Sequence, residues 1–263
     1  MGSTGSTVAL IAYFQQGGVA MYPLLLCSVL SAATADDLVR DALAAEGRLD
    51  SAGALQLFLQ ADAARPNDAF ILQKIATQYS DQVPDQTTTA AQKDFATRAL
   101  GYAQRSVELA PANAVNVLSV AICHGRLALV SDTRTRVEYS RLIKDETERA
   151  LQLDPNYAWA HHVLGRWNYE VASFGPAARF FVRLFYGGLP VASAEEGVNH
   201  LRRATELEPL ELDHWLELGF AYAANGRKAE ARACWERGLA MPERGKNDAP
   251  AKIRAREALA ALN

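Results

Sequence analysis

Few residues in the chain support metal or redox chemistry. The three cysteines, Cys27, Cys123 and Cys234, show no metal-ligand spacing and no paired framework, and Cys123 and Cys234 read as small core residues of helices. No glycine-rich phosphate loop, His-Glu-x-x-His helix or nucleophile elbow occurs, so no catalytic residue and no cofactor is expected, and the chain reads as a non-enzyme. A basic excess is also missing. Lys and Arg total 27 against 30 Asp and Glu, a formal net charge of −3, which argues against nucleic acid as a partner. Among five histidines, His161 and His162 are adjacent with Glu170 near by. Neighbours on a helix point about 100° apart and do not chelate one metal from one face, so no metal site is expected. Gly187-Gly188 precedes Leu189-Pro190 and reads as a helix stop, not a phosphate cradle.

Charge is absent altogether from residues 1–35. An apolar run from Tyr22 to Leu30 is followed by Ala33-Thr34-Ala35 and then Asp36-Asp37, the order of a signal peptide with a small-x-small cleavage site. A positive n-region is missing, since no Lys or Arg precedes Arg40, and Gly17-Gly18 and Pro23 interrupt a spanning helix. Residues 1–35 are therefore set apart as an uncharged apolar leader and 36–263 as the folded domain. The leader points to an exported, periplasmic or membrane-anchored protein, with a cytoplasmic location as the alternative.

What the chain does contain is recurrence. Pro66, Pro111, Pro155 and Pro209 close similar phrases, such as Arg149-Ala150-Leu151-Gln152-Leu153-Asp154-Pro155 and Arg203-Ala204-Thr205-Glu206-Leu207-Glu208-Pro209. This is how the second helix of a tetratricopeptide unit ends, on a proline that cannot continue it. Counting the third residue after each proline as position 1, positions 4, 7, 8 and 11 should be large, apolar, small and aromatic. After Pro209 they are Trp215, Leu218, Gly219 and Tyr222, with Ala231 and Trp235 in the next helix. After Pro66 they are Leu72, Ile75, Ala76 and Tyr79, and after Pro111 they are Val117, Val120, Ala121 and His124. The match after Pro155 is weaker, with His161, Leu164, Gly165 and Asn168.

The fold expected is all-α: a tetratricopeptide solenoid of four to five helix pairs, with an upstream pair from about Ala35 to Pro66 and a capping helix from about Ala249 to Leu262. Proline intervals of 45, 44 and 54 residues exceed the roughly 34 of an unembellished repeat. Insertions are therefore expected at about Asp81 to Phe95, Val130 to Arg136 and Ser173 to Ala192.

The register also locates a groove, lined by positions 2, 5, 9 and 12 of each first helix. These are Phe70, Gln73, Thr77 and Ser80; Val115, Leu118, Ile122 and Gly125; Trp159, His162, Arg166 and Tyr169; Asp213, Leu216, Phe220 and Ala223. The reading is an apolar groove with one cation, Arg166, suited to an amphipathic helix of a protein partner or to an acyl chain with an anionic head group. His161 falls at a core position and His162 at a groove position. The competing possibility is that insertions or the last helix fold back and fill the groove. The third insertion gathers Phe174, Phe180, Phe181, Leu184, Phe185 and Tyr186 with Arg179 and Arg183 and no acid. It is either a lip packed on the neighbouring repeat or a surface anchor for a bilayer.

The segment Leu164-Gly165-Arg166-Trp167-Asn168-Tyr169-Glu170-Val171-Ala172, with Ser193-Ala194-Glu195-Glu196-Gly197 beyond the aromatic insertion, resembles the regulator of microtubule dynamics family, over roughly Ala35 to Leu262. The resemblance implies a non-enzymatic adaptor associated with microtubules, and in membrane-anchored members phospholipid binding by the repeat domain. It carries over Arg166, Trp167 and Tyr169, with Arg166 and Tyr169 on the groove and Trp167 in the core. An export leader would keep the protein away from cytoplasmic microtubules, and beyond Arg179, Arg183, Arg202 and Arg203 there is no evident basic surface for acidic tubulin tails.

Overall fold

The computed structural model describes residues 33–262; the apolar run of the leader and Cys27 lie outside them. Among the described residues there are twelve α-helices and no strand. The first unit pairs α1 (Ala35–Gly47) with α2 (Ser51–Ala64), the second α3 (Ala69–Asp81) with α4 (Thr89–Leu109), and the third α5 (Ala114–Leu129) with α6 (Thr133–Leu153). The fourth pairs α7 (Ala158–Ala172) with α9 (Ala194–Leu207), with α8 (Pro176–Tyr186) inserted between them. The fifth pairs α10 (Leu212–Ala224) with α11 (Lys228–Ala240), and α12 (Asp248–Ala261) follows as the cap. No helix among the described residues is long and apolar enough to cross a membrane.

The recurring proline sets the repeat by restricting its neighbour. Arg65, Ala110, Asp154 and Glu208, each just before a proline, share one non-helical conformation, with φ between −139° and −127° and ψ between 69° and 97°. Clash with the proline ring disfavours the helical region there, so each second helix stops at the same place. Two residues after the proline the next helix is capped. Asp68 accepts from the Phe70 and Ile71 amides, Asn113 from Val115 and Asn116, and Glu211 from Asp213. Tyr157, the equivalent residue before α7, offers no side-chain cap.

Small residues let the helices of a pair touch. A Cβ on Gly165 would come 2.6 Å from Leu201 Cγ and 3.0 Å from the Gly197 carbonyl, while one on Gly197 would come 2.9 Å from the Gly165 carbonyl. The two glycines are thus mutually required, and α7 and α9 pack backbone to backbone. In the fifth unit a Cβ on Gly219 would meet the Trp235 ring at 2.4 Å, and that indole is buried with its Nε1 donating to the Leu216 carbonyl at 3.0 Å.

Two of the expected insertions are mostly helix. Residues Asp81 to Phe95 hold a short 3-10 turn, Val83–Asp85, and the first turns of α4, which begins at Thr89. Around Val130 to Arg136 only a short turn precedes α6. The extra length lies in α4 and α6, which run 21 residues each, so it extends second helices and makes no loops there. Only the third insertion adds a separate α-helix, α8.

The row of helices curves back on itself. Lys246, in the turn before α12, pairs with Asp85, and Asn247 Nδ2 donates to Asp81 Oδ1 at 3.4 Å. The last unit therefore touches the second.

Candidate functional site

The first helices α3, α5, α7 and α10 follow one another along the inner face, and its two halves differ in chemistry. In the first half, Phe70, Val115 and Ile122 present 47%, 42% and 37% of their surface to solvent. Between them Gln73 Nε2 donates to Thr77 Oγ1 at 2.9 Å and to Ser119 Oγ at 3.1 Å, joining α3 to α5. A pocket of about 70 Å³ lies there, lined by Thr77, Ser80, Ser119 and Ile122 among others. Lys74 stands 5.9 Å above the Phe70 ring and pairs with Glu46 at 2.9 Å. This half is a shallow, mostly apolar surface crossed by a few hydroxyl and amide groups, with the ion pairs Lys74–Glu46 and Arg126–Asp81 at its edges.

The second half is a compensated ionic network. Glu217, 3% exposed at its side chain, accepts from the Tyr169 hydroxyl and, through Oε2, from Arg254 of α12 at 3.0 Å. Arg166 Nε lies 2.7 Å from Glu170 and 3.7 Å from Glu217, and Arg254 covers the Phe220 ring at 4.9 Å. Two arginines thus offset two glutamates. Burial pushes the Glu217 carboxyl up, but Arg166, His162 and Arg254 outweigh it and hold its pKa below the usual carboxylate value. Glu217 in turn holds the Arg166 guanidinium firmly protonated.

Beside the network, His162 Nδ1 lies 3.0 Å from His214 Nδ1, and Trp159 packs 5.0 Å from one ring and 4.8 Å from the other. A contact between two ring nitrogens needs one donor and one lone pair, so it does not survive protonation of both rings. Burial lowers His162 to about 4, with Glu217 pulling it up and Arg166 and Arg254 pushing it down; burial and then His162 lower His214 to about 3. His161 serves a different purpose: its Nε2 lies 3.0 Å from the Pro155 carbonyl, as Trp215 Nε1 lies 3.1 Å from the Pro209 carbonyl. The weak fourth-unit match at position 4 therefore conceals the same contact made by another ring. Nε2 of His161 must carry the proton, which leaves Nδ1 to accept from His200 at 2.9 Å.

Several positions of the sequence register are corrected. Leu118 and Leu216, read as groove-lining, are each 1% exposed. Leu118 shares a core cluster with Ala160 of α7, and Leu216 shares one with Ala251 and Ala255 of α12 while its Cδ2 lies against Gly238 of α11, so position 5 is packed by neighbouring helices. His162 is buried at the α7–α10 seam, not open to the groove, and His161 is only half-buried. Arg166 is half-exposed but already paired, so the expected lone cation is part of a neutral network. Trp159, Tyr169 and Phe220 are half-buried around that network. The cap helix does reach the inner face, where Arg254 meets Glu217.

In the third insertion, Phe180, Phe181, Leu184 and Phe185 are exposed, and no residue of α8 is buried. Its C-terminal end is clasped from α6, where Arg141 donates to the Tyr186 and Gly188 carbonyls. The expected lip, with its aromatic face packed on a neighbouring repeat, does not form among the described residues.

Sequence reasoning missed Glu217, His214, His200 and Arg254. A carboxylate inside Trp215-Leu216-Glu217-Leu218-Gly219 was the available signal, since an acid in an apolar helix needs a partner. It also missed a group of carboxylates, Glu211, Asp213 and Asp248, whose oxygens lie within 4.8 Å of one another. Asp248 already accepts from the Arg244 and Gly245 amides, and Glu211 caps α10. Burial, then Asp248, Glu211 and Glu217, raise Asp213 to about 7.

The residues of the Leu164 to Glu170 motif each have a distinct contact. Gly165 touches α9, Arg166 and Tyr169 meet Glu217, and Trp167 Nε1 donates to the Ser140 carbonyl at 2.8 Å. Asn168 Nδ2 donates to the Leu164 carbonyl at 3.0 Å, and its Oδ1 accepts from the Ser193 amide at 3.3 Å. The motif therefore spells the junction of α7 with α6, α9 and α10.

Comparisons with known proteins agree with this geometry. A family model described as Regulator of microtubule dynamics protein 1-3 matches residues 38–263. The chain is 28% identical over 138 residues to Regulator of microtubule dynamics protein 3 of Xenopus laevis, covering 52% of this chain and 30% of that one. It is 27% identical over 143 residues to Regulator of microtubule dynamics protein 1 of Bos taurus, covering 54% and 45%. The matches thus span less than half the length of these relatives. Among solved structures, a thermophilic tetratricopeptide protein of Thermus thermophilus superposes with a TM-score of 0.61 at 19% identity, over 87% of this chain and 98% of that one.

Proposed function

The chain belongs to the regulator of microtubule dynamics family, and on that premise we propose that it is a non-enzymatic adaptor which binds a segment of a protein partner along its inner face. The observation that carries the reading is the exposure of Phe70, Val115 and Ile122 beside Gln73 and Thr77 on α3 and α5. Apolar anchors flanked by amide and hydroxyl groups suit an amphipathic helix or an extended peptide. The second half of the face, already neutralised within itself, holds α7, α10 and α12 in register and offers Arg166 and Trp159 at its edge.

Phospholipid is the alternative. It calls for a cavity that takes acyl chains, whereas the α3–α5 pocket holds about 70 Å³. Sites for small ligands typically enclose about 300 Å³ or more. Arg166, the cation expected to pair a phosphate, is already engaged by Glu170 and Glu217. Microtubules enter as a candidate partner through the relatives' name.

A displayed random-peptide library selected against the full chain tests the reading. Enriched peptides should share apolar anchors and lose at least about tenfold in affinity when Phe70→Asp and Ile122→Asp are combined, a change at least equivalent to about 1.4 kcal/mol. Peptides that bind that variant equally would overturn the site. A stoichiometric phospholipid in native mass spectrometry, lost on Trp159→Ala with Arg166→Glu, would establish the alternative instead. Pelleting with stabilised microtubules decides whether tubulin is the partner.

A further inference from the structure

Helix α8 is unlike every other helix of the domain. Eleven residues long, it opens with Pro176 at its first turn and ends on left-handed Gly187 at φ 77°, so both ends are set by local sequence and none of its residues is buried. Phe180, Phe181, Leu184 and Phe185 are 67%, 47%, 61% and 61% exposed. At about 100° per residue these four fall within an arc of roughly 140°. The half-buried Val182 and Tyr186 lie outside that arc, toward the domain. The Phe181 and Phe185 rings meet at 4.7 Å with a 44° tilt, which keeps the apolar face continuous.

The charge around this face has one sign. No Asp or Glu occurs between Val171 and Ala194, whereas Arg179 and Arg183 stand one turn apart beside the apolar arc. Arg179 also donates to the Ala172 carbonyl, and Arg141 clasps the helix end through carbonyls. Arg134, beside the same end, is paired with Glu138 at 3.5 Å and adds no net charge. Joining two copies through α8 would crowd arginines together with no acid on the helix itself to balance them. An anionic bilayer supplies both an apolar boundary for the rings and phosphates for the guanidiniums.

We propose that α8 is a membrane-docking helix that lies in the headgroup region of an anionic bilayer, its Phe180, Phe181, Leu184 and Phe185 face toward the acyl chains and its arginines on lipid phosphates. At about 1.5 Å per residue it is some 16 Å long, half of a hydrocarbon core of about 30 Å, so it lies on the bilayer and does not span it. Because the clasp comes from α6, a second helix, the docked helix is carried on the outer layer. The first-helix face then remains available to a partner.

Hydrogen exchange of the full chain read at the 176–186 amides, with and without vesicles, isolates this helix from any effect of residues 1–32. Vesicles of phosphatidylcholine with about 30% phosphatidylserine should slow exchange there at least fivefold, and phosphatidylcholine alone much less. Phe181→Glu with Leu184→Glu should abolish the protection while circular dichroism stays unchanged, since both side chains are exposed. Arg183→Glu should remove the preference for anionic lipid. Unprotected amides with anionic vesicles would overturn the proposal. So would protection that rises with protein concentration in the absence of vesicles, which would assign the face to a second copy of the chain.

Discussion

The two halves of the inner face solve the same packing problem with opposite chemistry. Between α3 and α5 the lining is mostly apolar and open, bridged by the neutral contact of Gln73 with Ser119 and, at its far end, by Arg126 with Ser80 and Asp81. Between α7 and α10 the lining is ionic and closed, with Glu217 at the centre of Arg166, Arg254 and Tyr169. An open apolar surface contributes little to the fold and is available for binding, whereas a buried charge network is tied to the fold and costly to disturb. Stability is therefore carried by one end of the surface, and the proposed binding is assigned to the other.

Removing the centre of the ionic half should have the largest effect. Glu217→Ala leaves the Tyr169 hydroxyl without its acceptor and Arg254 without its partner, but both arginines are partly solvated and Arg166 keeps Glu170, so it should lower the free energy of unfolding by about 1–3 kcal/mol in urea titrations. Adding Arg254→Leu should restore part of that loss, because the uncompensated charge is then removed as well.

Acid should weaken the same half next. His162 and His214 are neutral when folded, with pKa values lowered to about 4 and about 3, and titrate at their ordinary value when unfolded. The unfolded chain then binds more protons, so their contribution is intact above about pH 6.5 and is lost as pH falls through the folded values, at up to ~1.4 kcal/mol per pH unit for each ring. Urea midpoints measured between pH 7.5 and 4.5 should fall, and His214→Phe should flatten the slope. Asp213, raised to about 7, has the opposite sign: its contribution is complete below its unfolded value and disappears as pH rises through 7. Asp213→Asn should therefore raise stability mainly on the alkaline side.

Smaller effects are expected where the surface is open. Lys246→Glu places a third acid beside Asp81 and Asp85 and should cost at most about 1 kcal/mol, since Asp85 is largely solvated. Phe70→Ser with Ile122→Ser should change stability by no more than about 0.5 kcal/mol each, read in the same titration, while removing peptide binding.

Much of the frame was legible because it is written in local terms. The prolines stop helices through their own neighbours, Asp68 and Asn113 cap the helices α3 and α5, and Gly165 and Gly219 mark close helix contacts within one unit. The ionic half was not legible, because its charges come together only in three dimensions. Arg254 reaches Glu217 from the cap helix, and His200 and His214 meet consecutive residues of α7 from two other helices. The groove register also failed where a neighbour covers it: position 5 is lining in an isolated unit and core once the next element packs, as at Leu118 and Leu216.

The contact of Lys246 and Asn247 with Asp85 and Asp81 bears on how the molecule comes apart. An open row of repeats has nearest-neighbour energetics, so it frays from whichever terminus is weaker and can lose one unit at a time. Here residues more than 160 positions apart in sequence are joined, so departure of α12 from its end of the row also breaks its contact with the second unit. The contact adds a long-range term to an otherwise local chain of modules, coupling the cap to the second unit and leaving the first unit outside the coupled span.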